Sequence, residues 1–237
     1  VTPAQLLAAA RTADPASPFL TFYNDATDER IELSLTSFDN WVAKTANLLQ
    51  DGLGTEPGER VAILLPPHWQ GAVWMLAAWS AGLIVDLSGN GAPDVVVTGP
   101  DTLDEAVAMK ARDTLALALR PLGGRFTTPL PAGVLDYGAE VPTYGDHFAP
   151  YVPVAPSDLA LAVDGTELTA ADLVARATAV GLDAGARVLT TANPAAKDGY
   201  LDALLAPLAV RGSIVLVRNP KPERTDRRVA DERVTHP

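Results

Sequence analysis

Apolar and polar positions follow one another along this chain in blocks whose lengths fit strands and helices in turn. Val61-Ala62-Ile63-Leu64-Leu65 is apolar at every position, as a strand buried on both faces of a parallel sheet must be. Pro66-Pro67 stops it. Residues 70–81 carry apolar side chains nearly all round, Trp74 and Trp79 among them, which predicts a helix packed between two layers. Gly82 ends that helix, and Leu83–Leu87 reads as the next strand. Strands are also predicted at 94–98 and 114–119, with a helix over 103–110 between them. The alternation indicates an α/β fold on mostly parallel sheets.

From Pro121 to Pro156 the pattern changes to Pro, Gly and aromatic residues, with one short strand predicted at 133–137. Tyr137, Tyr144, Phe148 and Tyr151 give this segment apolar surface to bury, so it is expected to be ordered. Beyond it the first pattern returns. The helix predicted over 34–49 and the strand entered by Gly58-Glu59-Arg60-Val61 match a helix over 169–180 and Gly185-Ala186-Arg187-Val188. A helix over 199–210 and a strand over 213–217 complete the second copy, at an offset of about 130 residues. The reading is two related α/β lobes: a first over 1–120, a connecting segment over 121–156 and a second over 157–220. Residues 221–237 form a charged, flexible tail.

Composition narrows the classes. Hydrophobic content of 48% and 20 prolines spread along the chain fit a globular protein. The run from Val73 to Leu87 is broken by Ser80 and Asp86 and falls short of the ~20 apolar residues of a membrane helix. No basic stretch precedes an apolar one at the N-terminus, so no signal peptide is expected. The absence of cysteine removes disulfides and thiolate chemistry and fits a cytoplasmic location. A net charge of -11 argues against nucleic acid as a partner.

Few motifs carry chemistry. Gly89-Asn90-Gly91 follows a strand but lacks the third glycine and the helix of a dinucleotide loop. Gly52-x-Gly54-x-x-x-Gly58 precedes a strand, the wrong side for phosphate, and reads as a turn. His68 lies just past a predicted strand end, where open sheets bind ligands; it is either a ligand group or a helix cap. Lys197-Asp198 is either an anion site or a solvated pair. Trp41, Trp69, Trp74 and Trp79 cluster in the first lobe, as core or as an interface or pocket. No His pair has metal spacing, and no Gly-x-Ser-x-Gly elbow occurs.

Several stretches resemble the N-terminal part of adenylate-forming (AMP-binding) enzymes, the superfamily of acyl- and aryl-CoA synthetases, peptide-synthetase adenylation domains and luciferase. They are Leu35-Thr36-Ser37-Phe38-Asp39, Gly58 to Pro66, Gln70 to Val85, Asp158-Leu159-Ala160, Arg187 to Thr191 and Leu204 to Leu208. The resemblance implies an acyl-CoA-synthetase-like α/β fold. In the family, the strand at Asp158 leads into a Ser/Thr/Gly-rich, Lys-containing loop that cradles ATP phosphates. Here Asp164-Gly165-Thr166-Glu167 stands instead, and residues 166–172 run straight into the predicted helix. Two carboxylates repel a triphosphate, and the backbone cradle is absent. Asn193-Pro194-Ala195-Ala196 falls where the family has Pro-x-Phe-His, and a short link joins Leu87 to Asp94 where the family has an insertion. The sequence ends at Pro237, before the regions where the family carries its Mg-binding acid, ribose-binding Asp and C-terminal Lys.

These departures imply a truncated, non-catalytic relative, a small-molecule-binding or interaction protein that cannot form acyl-adenylates alone. The alternatives are a residual or partner-completed ligase of the acyl-CoA synthetase type, and a structural homodimer without ligand. No catalytic residue, metal or cofactor is expected. Candidate ligand-binding positions are His68, Asn90, Asp164, Thr191, Asn193 and Lys197, for a small acid, a nucleotide or an acyl thioester. A homodimer would cover surface left open by truncation; neither nucleic acid nor membrane is an expected partner.

Overall fold

The computed structural model describes residues 1–89, 91–197 and 199–237. The elements run α1 (Pro3–Ala13), β1 (Pro18–Asn24), β2 (Glu29–Ser34), α2 (Leu35–Asn47), β3 (Arg60–Leu64), α3 (Trp69–Ser80), β4 (Ile84–Asp86), β5 (Val95–Thr98) and α4 (Leu103–Ala108). Next come β6 (Asp113–Ala116), β7 (Val134–Asp136) and α5 (Tyr137–Glu140). The remainder is β8 (Leu159–Val163), β9 (Thr166–Thr169), α6 (Ala170–Ala179), β10 (Arg187–Thr190), α7 (Ala206–Ala209), β11 (Ser213–Arg218) and α8 (Thr225–Asp231). Two sheets form, one ordered β10-β11-β1-β2 and the other β7-β6-β5-β3-β4-β8-β9. Only the hairpin strands β2 and β9 run antiparallel to their neighbours. The fold is α/β with mostly parallel sheets, as the sequence predicts.

The internal repeat is visible in the hydrogen bonds. Each copy is a hairpin, a helix, a strand, a helical crossover and a strand. Both hairpins carry a register shift at their first strand, between Pro18 and Leu20 and between Leu159 and Leu161. The helix that follows is capped by Ser34 in one copy and Thr169 in the other, each accepting from the amide three residues on. Leu35 N donates to Ser17 O at 3.0 Å, and Ala170 N donates to Asp158 O at 2.9 Å.

The copies are not separate lobes, however. The hairpin β1–β2 pairs with β11 of the second copy, and the hairpin β8–β9 pairs with β4 of the first. Each sheet therefore draws on both segments expected to be independent. The sequence pattern fixes strand type but not partner, because all the strands concerned are equally apolar on their inner faces.

Helix α3 packs between the sheets. Trp69 to Trp79 is buried throughout, so the tryptophans Trp69, Trp74 and Trp79 are core residues. Trp79 Nε1 donates to Ala160 O in β8 at 2.8 Å, while Phe22 of β1 lies edge-on to His68 at 4.7 Å.

Three expectations change. Residues 166–169 are not helix: β9 intervenes before α6, since Thr166 and Leu168 pair back onto β8. The crossover over 199–210 is a π-helical turn at Leu201–Leu205 followed by α7, interrupted where Pro207 lacks an amide to donate. The charged tail is docked. Arg228 of α8 is buried, pairs with Asp25 through a 2.5 Å bond, and stacks 4.3 Å from the centre of the Tyr23 ring. The charges of this segment mark it as polar, but their partners lie some 200 residues away in the chain and cannot be read locally.

Candidate functional site

Ligands in open α/β sheets bind beyond the carboxyl ends of the strands. Here those ends are Leu64 of β3, Asp86 of β4 and Val163 of β8. The turn after β8 is Asp164-Gly165, with φ values of 48° and 74°. Positive φ at both positions makes it a type I′ hairpin turn, the two-residue connection whose twist suits adjacent strands. Two residues alone join β8 to β9, which leaves no length for a glycine-rich loop.

Two hollows adjoin this turn. One, of about 600 Å³, is lined by Arg60, Asp86, Ser88, Gly91, Gly165 and Glu167. The other, of about 430 Å³, is lined by Leu64, Asp86, Glu105, Met109, Ala195 and Lys197 among others. Arg60 sits between two acids: its guanidinium lies 3.3 Å from Asp86 and also pairs with Glu167. Lys197 Nζ lies 3.5 Å from Asp164. Asp86 in turn accepts from the Ser88 amide at 2.9 Å and from its hydroxyl at 2.6 Å. Among the described residues, both cations of the region face carboxylates of the same chain, and four acids stand against two bases. That balance disfavours a polyphosphate and leaves apolar wall at Leu64 and Met109.

Of the sequence-derived candidates among the described residues, four fall into two groups. Asp164 and Lys197 meet as an exposed ion pair at the turn. His68 and Asn193 gather at the start of α3. Asn193 Nδ2 donates to Leu65 O at 2.7 Å and its Oδ1 accepts from Ala195 N at 3.0 Å. His68 caps α3, its Nδ1 accepting from Gln70 N at 3.2 Å. Burial, with a lesser contribution from Arg218, lowers its pKa to about 3, so the ring is neutral. Its Nε2 is buried and has no partner among the described residues. Thr191 lies exposed just after β10, apart from both groups. Asn90 falls outside the described residues. Arg60, Asp86 and Glu105 are the site residues that the sequence reading passed over; an acid at the end of the apolar run Ile84-Val85-Asp86 was the available signal.

Over 228 residues the chain is 44% identical to a TIGR03089 family protein of Mycobacterium tuberculosis (strain ATCC 25618 / H37Rv), covering 94% of this chain and 92% of that one. The chain belongs to the TIGR03089 family. The AMP-binding enzyme family model matches residues 8–87 of this member. Its fold is that of a Brucella canis acyl-CoA synthetase, with a TM-score of 0.83 at 21% identity over 99% of this chain. The TIGR03089 chain spans 46% of the length of that synthetase, so the likeness establishes an acyl-CoA-synthetase-like fold. The AMP-binding match ends at Leu87, beside the two hollows. No helix among the described residues is long and apolar enough to cross a membrane.

Proposed function

We propose that this TIGR03089 family member is a non-catalytic relative of AMP-binding enzymes that binds a small molecule and does not form acyl-adenylates alone. The observation that carries this reading is the Asp164-Gly165 turn. It closes β8 onto β9 where a phosphate cradle would need glycine-rich backbone and a free lysine. The paired state of Lys197 and Arg60 supports it, since neither cation is available without breaking a bond to an acid. The ligand is a small acid or an acyl thioester fragment, held at the apolar hollow beside Leu64 and Met109. A nucleotide fits the acidic surroundings less well. The chain acts as a cytoplasmic homodimer, in keeping with its lack of cysteine and with exposed Tyr151 and Val152 as apolar contact surface.

ATP–pyrophosphate exchange by the pure chain, measured with a panel of short acids, tests the catalytic part of this reading. No exchange above background is expected, and sustained exchange with any acid overturns it. Thermal-shift titration separates the ligand classes: a ligand at about 100 times its dissociation constant adds roughly 2.7 kcal/mol. An acid or a phosphate-free acyl-pantetheine thioester is expected to shift the melting temperature, and Mg-ATP to leave it unchanged.

A second reading is favoured by one observation, that the fold matches a synthetase along nearly all of this chain but under half of the other. In that reading a partner polypeptide supplies the part of a ligase that this chain does not match. Exchange activity that appears only on adding a second protein would support it.

A further inference from the structure

On the side of the fold formed by α1 and α2, residues 146–154 run as an extended strap over the two helices and enclose a cavity of about 310 Å³. The strap is held from outside. Lys44 Nζ donates to Tyr144 O at 2.6 Å, and Asn47 Nδ2 donates to both Gly145 O and His147 O at 2.9 Å. Gln50 accepts from Tyr151 N at 2.9 Å and donates to Ala149 O at 3.4 Å. These bonds fix the strap carbonyls along α2, so the space beneath persists because Ala4, Ala8 and Ala43 are too small to fill it. Leu7, Val42, Phe148 and Val154 give it apolar wall, with Thr2, Gln5 and Ser80 as polar neighbours.

At one side stands a charge pair. Arg11 Nε lies 3.2 Å from Asp39 Oδ2, and the Asp39 side chain is the more buried of the two, 24% exposed against 46%. Asp146 and His147 of the strap border the same space. Two carboxylates, Asp39 and Asp146, and the Arg11 guanidinium face the cavity beside the His147 imidazole. Burial raises the Asp39 carboxyl above its ordinary pKa, and Arg11 and His147 only partly oppose this. Its carboxylate therefore gains from a further donor. The whole chain, at -11, draws cations toward such an opening.

We propose that this cavity is a binding site for a small organic cation, a primary ammonium on a short apolar body, with Asp39 receiving the ammonium. The apolar body lies against Leu7, Val42 and Phe148, under the strap. Arg11 keeps its bond to one oxygen of Asp39, leaving the other for the ligand. The volume suits a single aromatic ring with a two-carbon arm. The site is separate from the hollows at the β8–β9 turn.

Calorimetric titration of the full chain with 2-phenylethylamine, 2-phenylethanol and 3-phenylpropionate tests this at neutral pH. The amine is expected to bind saturably and about tenfold or more tighter than the alcohol, with the acid weakest. Asp39→Asn is expected to bring the amine to the level of the alcohol. Ala8→Leu and Ala43→Leu are expected to weaken amine and alcohol alike by filling the space; Ala8 is on the exposed rim of α1, so at least that variant keeps the fold. Equal binding of amine and alcohol, preference for the acid, no saturable amine binding at millimolar concentration, or indifference to Asp39→Asn each overturns the assignment. Amine binding that survives both leucine variants places it elsewhere and overturns it too.

Discussion

Arg60 and Arg187 hold the same place in the two copies of the internal repeat. The amide of Arg60 donates to Asp94 Oδ2 at 2.8 Å, and that of Arg187 donates to Thr235 Oγ1 at 2.9 Å. Each arginine carbonyl accepts from the amide of the same partner, at 2.9 Å in both cases. Arg60 begins β3 and meets the start of β5; Arg187 begins β10 and meets the residues just before the isolated bridge between Val188 and His236. The equivalence extends past the expected repeat into the segment read as a tail.

The Arg228–Asp25 pair fastens α8 to the hairpin β1–β2. Both side chains are buried, so removing one strands the other's charge. Asp25→Asn is expected to cost about 3 kcal/mol in urea unfolding. Burial alone would raise the Asp25 carboxyl, but Arg228, the Lys221 amide and Arg224 outweigh it and hold the pKa below the ordinary value. The stabilisation is therefore complete above the ordinary carboxylate range and is lost as pH falls through the lowered value. Proteolysis between residues 219 and 232 should accelerate in that acid range, and earlier in the variant.

His68 works in the opposite sense for a base. Its folded pKa is about 3 against an ordinary 6.5, so between these values the unfolded chain takes up a proton that the folded one refuses. Stability should fall on acidification below about pH 6.5, by up to about 1.4 kcal/mol per unit. Chemical denaturation at pH 6.5, 5.5 and 4.5 reads the slope. His68→Asn keeps a capping side chain and should flatten it; an unchanged slope would assign the effect to other groups.

Gly199 has no room for a side chain. A Cβ there would run into the backbone carbonyl of Asn193. Gly199→Ala is expected to destabilise by about 1–3 kcal/mol, because the obstructing atom is main chain and cannot rotate away. Thermal melts of this variant beside Gly165→Ala, which meets no atom but has φ of 74°, separate collision from backbone strain. The second should cost about 1 kcal/mol.

Tyr137 is fully buried, and its hydroxyl lies 2.6 Å from Thr45 Oγ1. Burial raises its pKa well above the ordinary range despite that bond. Tyr137→Phe should cost about 1 kcal/mol, since Thr45 retains its bond to Trp41 O. Ultraviolet titration should find one tyrosine that ionises only on unfolding.

The sequence conveys what depends on neighbours in the chain. The strand Val61–Leu65 and the buried helix with Trp74 and Trp79 stand where their apolar patterns place them, because burial on all sides leaves no polar position. The repeat is legible because Gly58-Glu59-Arg60 and Gly185-Ala186-Arg187 open equivalent strands. The hairpin β1–β2 is less so: Pro18 to Tyr23 is interrupted by Thr21, and its parallel partner β11 is distant in the chain. At the site, Asp164-Gly165 is readable as a turn because Asp-Gly favours positive φ. The pairing of Arg60 with both Asp86 and Glu167 is not, since it needs β3, β4, β8 and β9 brought side by side.

The exchanged hairpins also set a timetable for synthesis. Leu20 of β1 pairs with Ile214, so β1 has no parallel neighbour until β11 has left the ribosome. At about 5–20 residues per second, that delay is on the order of ten seconds or more. For that interval Phe19, Leu20 and Phe22, all buried in the finished fold, remain without their final cover. In that interval the nascent chain is vulnerable to aggregation at β1, and a holding chaperone would act there.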